Sequence, residues 1–242
     1  MTTLFISDLH LDASRPHITR LFLEFLENEA SKADALYILG DLFEAWIGDD
    51  APDEVGDQVA EGLSKLHERG VPCFFIHGNR DFLLGDAFAR RARMTLLPDP
   101  SEVRIAGERV LLMHGDTLCT DDLPYQIFRK QSRDAVWQRA FLSQAVEKRH
   151  VFAAQARAES VRYTRSVDDA ITDVNAASVA EVLRAHGLHD LIHGHTHRPA
   201  FHVLELAGTP ARRIVLGDWY EQGSLLAKDS SGSNLRTIRR PA

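Results

Sequence analysis

Short apolar runs recur along the chain, and each breaks off into charge. They are TLFIS before Asp8, ALYIL before Gly40-Asp41, CFFI before His77-Gly78-Asn79, RVLLM before His114-Gly115-Asp116, DLIHG before His195, and RRIVL before Gly217-Asp218. Each has strand length and the near-continuous hydrophobicity of a strand buried on both faces. The segments between them read differently. Residues 16–30 place Ile18, Leu21, Phe22, Phe25 and Leu26 on one helical face, and residues 57–69 do the same through Val59, Leu63 and Leu66, stopping at Gly70. From Asp122 to about Ala185 no strand pattern appears, while Val136, Trp137, Ala140, Phe141 and Gln144 recur at helical spacing. The pattern predicts an α/β fold, one domain over 1–242 with a helical insertion at 122–185. The tail KDSSGSNLRTIRRPA is expected to be partly a last strand and partly frayed.

Composition narrows this little. A chain of 242 residues, 44% of them hydrophobic, can bury one substantial core. It has no run of the ~20 apolar residues a membrane span needs and no basic leader, so a cytoplasmic location is expected. Cys73 and Cys119 lie far apart without CxxC spacing, which suggests neither a disulfide framework nor a thiolate zinc site. The net charge of −7 argues against a general nucleic-acid binder. Its distribution matters more: from Arg129 to Arg165 there are nine Lys or Arg against three Asp or Glu, so one helical stretch is built to meet anions.

Ligands of open α/β sheets gather beyond the carboxyl ends of the strands. There the chain delivers Asp8, His10, Asp41, Asn79, His114, His195 and His197 in order. Each piece alone is weak: a DxH pair is often a cap beside a surface histidine, and a GD dipeptide is usually a turn. Their joint, ordered occurrence points to two cations sharing a bridging carboxylate, for which Asp41 is the candidate. Imidazole, carboxylate and amide oxygens suit Mn²⁺, Fe²⁺ or Zn²⁺ without choosing among them. Two such ions predict a hydrolase of phosphate esters or anhydrides. Of the remaining histidines, His17, His67, His150, His186, His189 and His202 read as surface residues, and His77 and His193 as structural ones beside motif glycines.

The strings DLH at Asp8, GD at Gly40, GNRD at Gly78, HGD at His114 and GHTH at Gly194 resemble the five blocks of the calcineurin-like metallophosphoesterases. The resemblance implies a four-layer αββα sandwich with a cap. The third block of that superfamily usually reads GNH, whereas Arg80 stands here. Arg stays charged and cannot protonate a leaving oxygen; a phosphate leaving group, with its second pKa near ~6, needs no proton. Asn79-Arg80, with EAWIGDD, HGDTLCTDD and RRIVLGDW, is similar to the narrower family of UDP-2,3-diacylglucosamine diphosphatases of lipid A biosynthesis. That similarity implies hydrolysis of UDP-2,3-diacylglucosamine to UMP and 2,3-diacylglucosamine 1-phosphate by a two-metal-activated water. It implies two Mn²⁺ ions, one on Asp8, His10, Asp41 and His197, the other on Asp41, Asn79, His114 and His195. It makes Asp41, Asn79, Arg80, His114 and His195 catalytic and brings Asn79, Arg80, Asp122, Ser160, Thr164 and His195 to the substrate, with Arg157 as a phosphate partner. Val167 stands where many members carry a substrate-contacting Lys. A monomer working peripherally on the cytoplasmic face of the inner membrane follows, with no nucleic-acid partner, and Trp46, Phe82, Tyr125, Phe128, Phe141 and Phe152 as lining for acyl chains. A broader phosphoesterase of dinucleoside polyphosphates or nucleic acid, and a non-catalytic scaffold, are the alternatives.

Overall fold

The structure is a computed structural model and describes residues 1–168 and 170–239. Residue 169 of the expected insertion and residues 240–242 of the expected 1–242 domain and of its tail therefore lie outside the described residues. In chain order the elements are β1 (Thr3–Ile6), α1 (Pro16–Asn28), β2 (Ala35–Leu39), α2 (Glu54–Glu68), β3 (Cys73–Ile76), α3 (Asp86–Ala92), β4 (Met94–Leu97), β5 (Ser101–Ile105), β6 (Glu108–Met113), α4 (Leu123–Ser132), α5 (Ala135–Leu142), α6 (Val146–Thr164), α7 (Ala176–His186), β7 (Asp190–His193), β8 (Ala200–Leu206), β9 (Thr209–Val215), β10 (Gly223–Asp229) and β11 (Gly232–Ile238).

Among the described residues the strands form two sheets, ordered β11-β10-β1-β2-β3-β4 and β5-β6-β7-β9-β8. Strands β1 to β4 of the first run parallel, as do β6, β7 and β9 of the second. Side chains alternate across each strand. Phe5, Tyr37, Leu39 and Ile76 of the first sheet meet Val110, Leu112, Ile192 and Ile214 of the second in a core between the sheets. The opposite face, Leu4, Ile6, Leu36, Ile38 and Phe75, is covered by the apolar stripes of α1, α2 and α3. On the far side, Leu111, Met113, Leu191 and Ala211 receive Val179 and Leu183 of α7. Helices thus clothe both outer faces of a two-sheet stack, an αββα arrangement.

The expected helix at 57–69 starts three residues earlier, because the Asp53 carboxylate caps the Gly56 N–H at 2.7 Å. The four helices of 122–185 divide in role. α7 packs on the sheet as part of the sandwich, whereas α4, α5 and α6 lie beside it, joined to the first sheet's helical layer through Phe141. Arg149 of α6 is 1% exposed, and its guanidinium donates to both oxygens of Asp50 and to the Ile47 carbonyl, pinning α6 to the loop after β2. No helix of the described residues is long and apolar enough to cross a membrane.

Candidate metal centre

Five strand ends deliver the site. Asp8 and His10 follow β1, Asp41 follows β2, Asn79 follows β3, His114 follows β6, and His195 and His197 follow β7. The chain turns abruptly at each. Asp8, His10, Asp41, His195 and His197 all have φ between 51° and 68°, a left-handed backbone that costs an L-residue roughly 1–2 kcal/mol. Backbone bonds hold the turns: Asp8 N–H donates to the Gly40 carbonyl at 3.0 Å, and His10 N–H to the Asp41 carbonyl at 2.9 Å. Strain concentrated on five donors and held by their neighbours marks a site where geometry is set for function. Two glycines permit the crowding. A Cβ on Gly78 would stand 2.1 Å from Asp41 Oδ1, and one on Gly194 2.3 Å from Asp8 Oδ2.

The donor atoms converge in two groups. His10 Nε2 and His197 Nε2 lie 3.2 Å apart, with Asp8 Oδ1 3.4 Å from the latter and Asp41 Oδ2 3.8 Å from the former. His114 Nε2 and His195 Nδ1 lie 3.2 Å apart, each 3.0 Å from Asn79 Oδ1, with Asp41 Oδ1 3.8 Å from His114. Asp41 faces both groups, one oxygen to each. Asp8, His10, Asp41 and His114 are at most 2% exposed. Asp8 Oδ1 is buried without a hydrogen-bond partner. An orphaned carboxylate oxygen among imidazole nitrogens is a costly arrangement for a metal-free core and an ordinary one for a cation site. The residues therefore fit divalent metal: Asp8, His10 and His197, and Asp8, Asp41 and His114, each bring ligand atoms close enough to hold an ion.

Without metal, protons take the cations' part. Burial opposes charge on His114 and His197, but carboxylates outweigh it, and the imidazoles are pushed up to about 9 by Asp41, Asp116 and Asp8 and to about 10 by Asp8 and Asp218. Burial keeps their partners neutral: His10 falls well below its ordinary value and His195 to about 3, the latter helped by His114. Each close nitrogen pair thus joins one imidazolium to one neutral ring. The Asp8 carboxyl, though buried, is held below its usual range by His197, His114 and His10, while burial pushes Asp41 up to about 7.

Several supports escape sequence reasoning. Asp81, inside GNRD, is fully buried and accepts from Leu42 N–H at 2.6 Å and Gly78 N–H at 2.9 Å, tying two donor loops together. Asp116, inside HGD, is fully buried and holds the Tyr125 hydroxyl at 2.6 Å and Arg129 Nε at 2.7 Å, fixing α4 beside His114. Asp218 lies 3.2 Å from His197 Nδ1 and orients that ring. Tyr220 stacks on His10 at 5.1 Å, and Glu44 reaches His10, Arg15 and Arg157. The motif strings contain all four of these carboxylates, Glu44 included; only the fold shows what they hold.

The expected substrate residues are spread more widely. Arg80 is half-buried beside the donors, and its Nε is buried with no partner. Arg157, on α6, meets Glu44 at 2.5 Å and Tyr220 at 3.4 Å. Asp122 caps α4 through the Tyr125 N–H at 3.0 Å. Ser160 and Thr164 lie further along α6, and the exposed Thr164 turns its hydroxyl back to the Ser160 carbonyl at 2.9 Å. Val167 is half-buried past the end of α6. Of the aromatics expected to line a slot, Trp46 is 6% exposed and packs on Phe43 and Phe88 at 4.6 and 4.7 Å, so it belongs to the core. Phe141 is likewise buried, between Trp137 and Phe152.

Residues 1–199 match the calcineurin-like phosphoesterase family. The chain is 56% identical over 247 residues to UDP-2,3-diacylglucosamine hydrolase of Stenotrophomonas maltophilia (strain R551-3), covering 99% of this chain and 100% of that relative. It is 54% identical over 245 residues to the protein of the same name from Xanthomonas axonopodis pv. citri (strain 306), covering 98% and 99%. A solved archaeal phosphodiesterase superposes with a TM-score of 0.50 over 98% of this chain and 100% of that one, at 12% identity, a likeness of fold alone.

Proposed function

Because the chain belongs to the calcineurin-like phosphoesterase family and is a hydrolase of that type, we propose that it hydrolyses the pyrophosphate bond of UDP-2,3-diacylglucosamine. The products are UMP and 2,3-diacylglucosamine 1-phosphate, an intermediate of lipid A biosynthesis. The observation that carries this reading is the end-to-end identity with relatives named for that substrate.

On this reading Asp8, His10, Asp41 and His197 hold one Mn²⁺, and Asp41, Asn79, His114 and His195 the other. When bound, two such cations lower the pKa of water toward ~7 and offset charge on phosphoryl oxygens. The chain's own residues do the rest. Arg80 offers a buried, unused N–H beside the donors, suited to a phosphate oxygen in a site of low dielectric. It carries fixed charge and gives up no proton, which matches a sugar phosphate that leaves without one. Asn79 and His195 face the attacked phosphorus, taken to be the uridine-side one. Arg157 meets a phosphate, and Asp122, Ser160 and Thr164 contact the remainder of the substrate. The helices α4 to α6 receive the acyl chains and rest on the cytoplasmic face of the inner membrane.

The test is phosphorus-31 NMR of the manganese-loaded protein with UDP-2,3-diacylglucosamine in ¹⁸O-labelled water. Label in UMP is expected. Label in the sugar phosphate would move the attack to the other phosphorus, and cleavage of dinucleotides or DNA with the lipid untouched would discard the substrate.

A further inference from the structure

Glu44 stands at the mouth of the metal centre with both carboxylate oxygens engaged. Oε1 lies 2.5 Å from Arg157 Nε, and Oε2 lies 3.1 Å from Arg15 Nη2 and 3.6 Å from His10 Nδ1. The carboxylate's backbone is fixed as well, since Glu44 N–H donates to the Leu11 carbonyl at 3.0 Å, next to the loop that carries His10. One carboxylate thus joins the start of α1, the cap helix α6 and a metal-donor loop. Tyr220 completes the set: its ring stacks on His10 with a 6° interplanar angle, Arg15 lies 4.6 Å from its centroid, and Arg157 Nη2 donates to its hydroxyl.

Two guanidiniums share this single carboxylate, and among the described residues Arg157 makes no other ion pair. Its Nε is committed to Glu44 and its Nη2 to Tyr220, which leaves Nη1 as the nitrogen free to meet an incoming anion. A guanidinium is a planar fork, so fixing two of its nitrogens fixes the direction of the third. We propose that Glu44 is the positioning residue for Arg157, aiming its free N–H at a phosphate oxygen of the substrate. This rests on the reading of Arg157 as a phosphate partner.

The sign of the effect separates positioning from plain electrostatics. Removing a carboxylate near an anion site strengthens anion binding if charge alone acts. Removing an aiming group weakens it. The probe is methylenediphosphonate, a diphosphate that cannot be hydrolysed, titrated calorimetrically into the manganese-loaded full chain. Glu44→Gln is expected to weaken binding about tenfold, Arg157→Ala at least as much, and the double variant no more than Arg157→Ala alone, because Glu44 acts through Arg157. Manganese content, measured independently, is expected to be unchanged in Glu44→Gln. Tighter binding by Glu44→Gln, multiplicative losses in the double variant, or loss of manganese from Glu44→Gln would each overturn the proposal. The lipid substrate is tested separately. If the diphosphonate pattern holds while UDP-2,3-diacylglucosamine is not cleaved, the substrate reading falls and the positioning role stands.

Discussion

At the scale of single residues, the site is a set of donors whose roles separate under substitution. Asp41 faces both donor groups, so Asp41→Ala is expected to lose bound manganese and activity together. On the proposed reading, Arg80→Ala, which removes no metal donor, is expected to keep its metal and to lose at least tenfold in turnover with the loss of one transition-state contact. Metal analysis beside the rates decides it, and equal metal content with equal rates in both variants defeats the assigned roles. The protonated pairs give a second prediction. His114 at about 9 and His197 at about 10 both carry protons at neutral pH, and a bound cation displaces them. Metal loading at pH 8 should therefore release about two protons per chain, and affinity should climb as pH rises toward the raised imidazole values. Calorimetry in buffers of differing ionisation heat reads the number directly; no proton release would mean the nitrogens are not the ligands. All seven donors are legible in the sequence, because each sits where an apolar run stops. The roles of the carboxylates behind them, Asp81, Asp116 and Asp218, are not, because what an acid in a short motif holds is set only when the chain folds around it.

At the scale of elements, the six apolar runs all become strands, since a strand buried on both faces must be apolar throughout. β4, β5, β8 and β10 show no such run, whereas the tail expected to be partly a last strand does form β11. β5 and β8 lie at the edges of their sheet, where pairing rather than burial defines a strand and exposed side chains such as Val203, 81% exposed, give no consistent pattern. The helical stretch is legible as helix but not in its division, because only tertiary packing places α7 on the sandwich and α4 to α6 beside it. The pin between Arg149 and Asp50 belongs to this scale. Asp50 is 60% exposed, so its partnership is discounted for solvent and is worth on the order of 1 kcal/mol. Asp50→Ala is accordingly expected to speed amide hydrogen exchange in α5 and α6 by several-fold while leaving β1 and β2 as protected as before. Equal acceleration throughout would show that the pair supports the whole fold instead of the cap.

For the whole molecule, what matters is where its apolar and basic surfaces fall. The strongly acidic remainder of the chain encloses one basic stretch, and that stretch is the same α4 to α6 segment that exposes Leu123, Ile127, Val136 and Val151, each more than half exposed. An aqueous surface gains nothing from that combination, whereas an anionic bilayer rewards both parts: Lys and Arg contribute roughly 1 kcal/mol each near such a surface, and the apolar side chains enter its boundary. The manganese-loaded protein is expected to float with vesicles containing anionic lipid and to be released by high salt, which screens the basic contribution. Replacing Ile127 and Val136 together by Glu should abolish flotation and raise KM for the lipid substrate at least tenfold, with the rate on a small water-soluble phosphodiester unchanged. Since neither residue is a metal donor, equal losses on both substrates would point to a disturbed fold, and unchanged flotation would leave the exposed apolar face without a membrane to explain it.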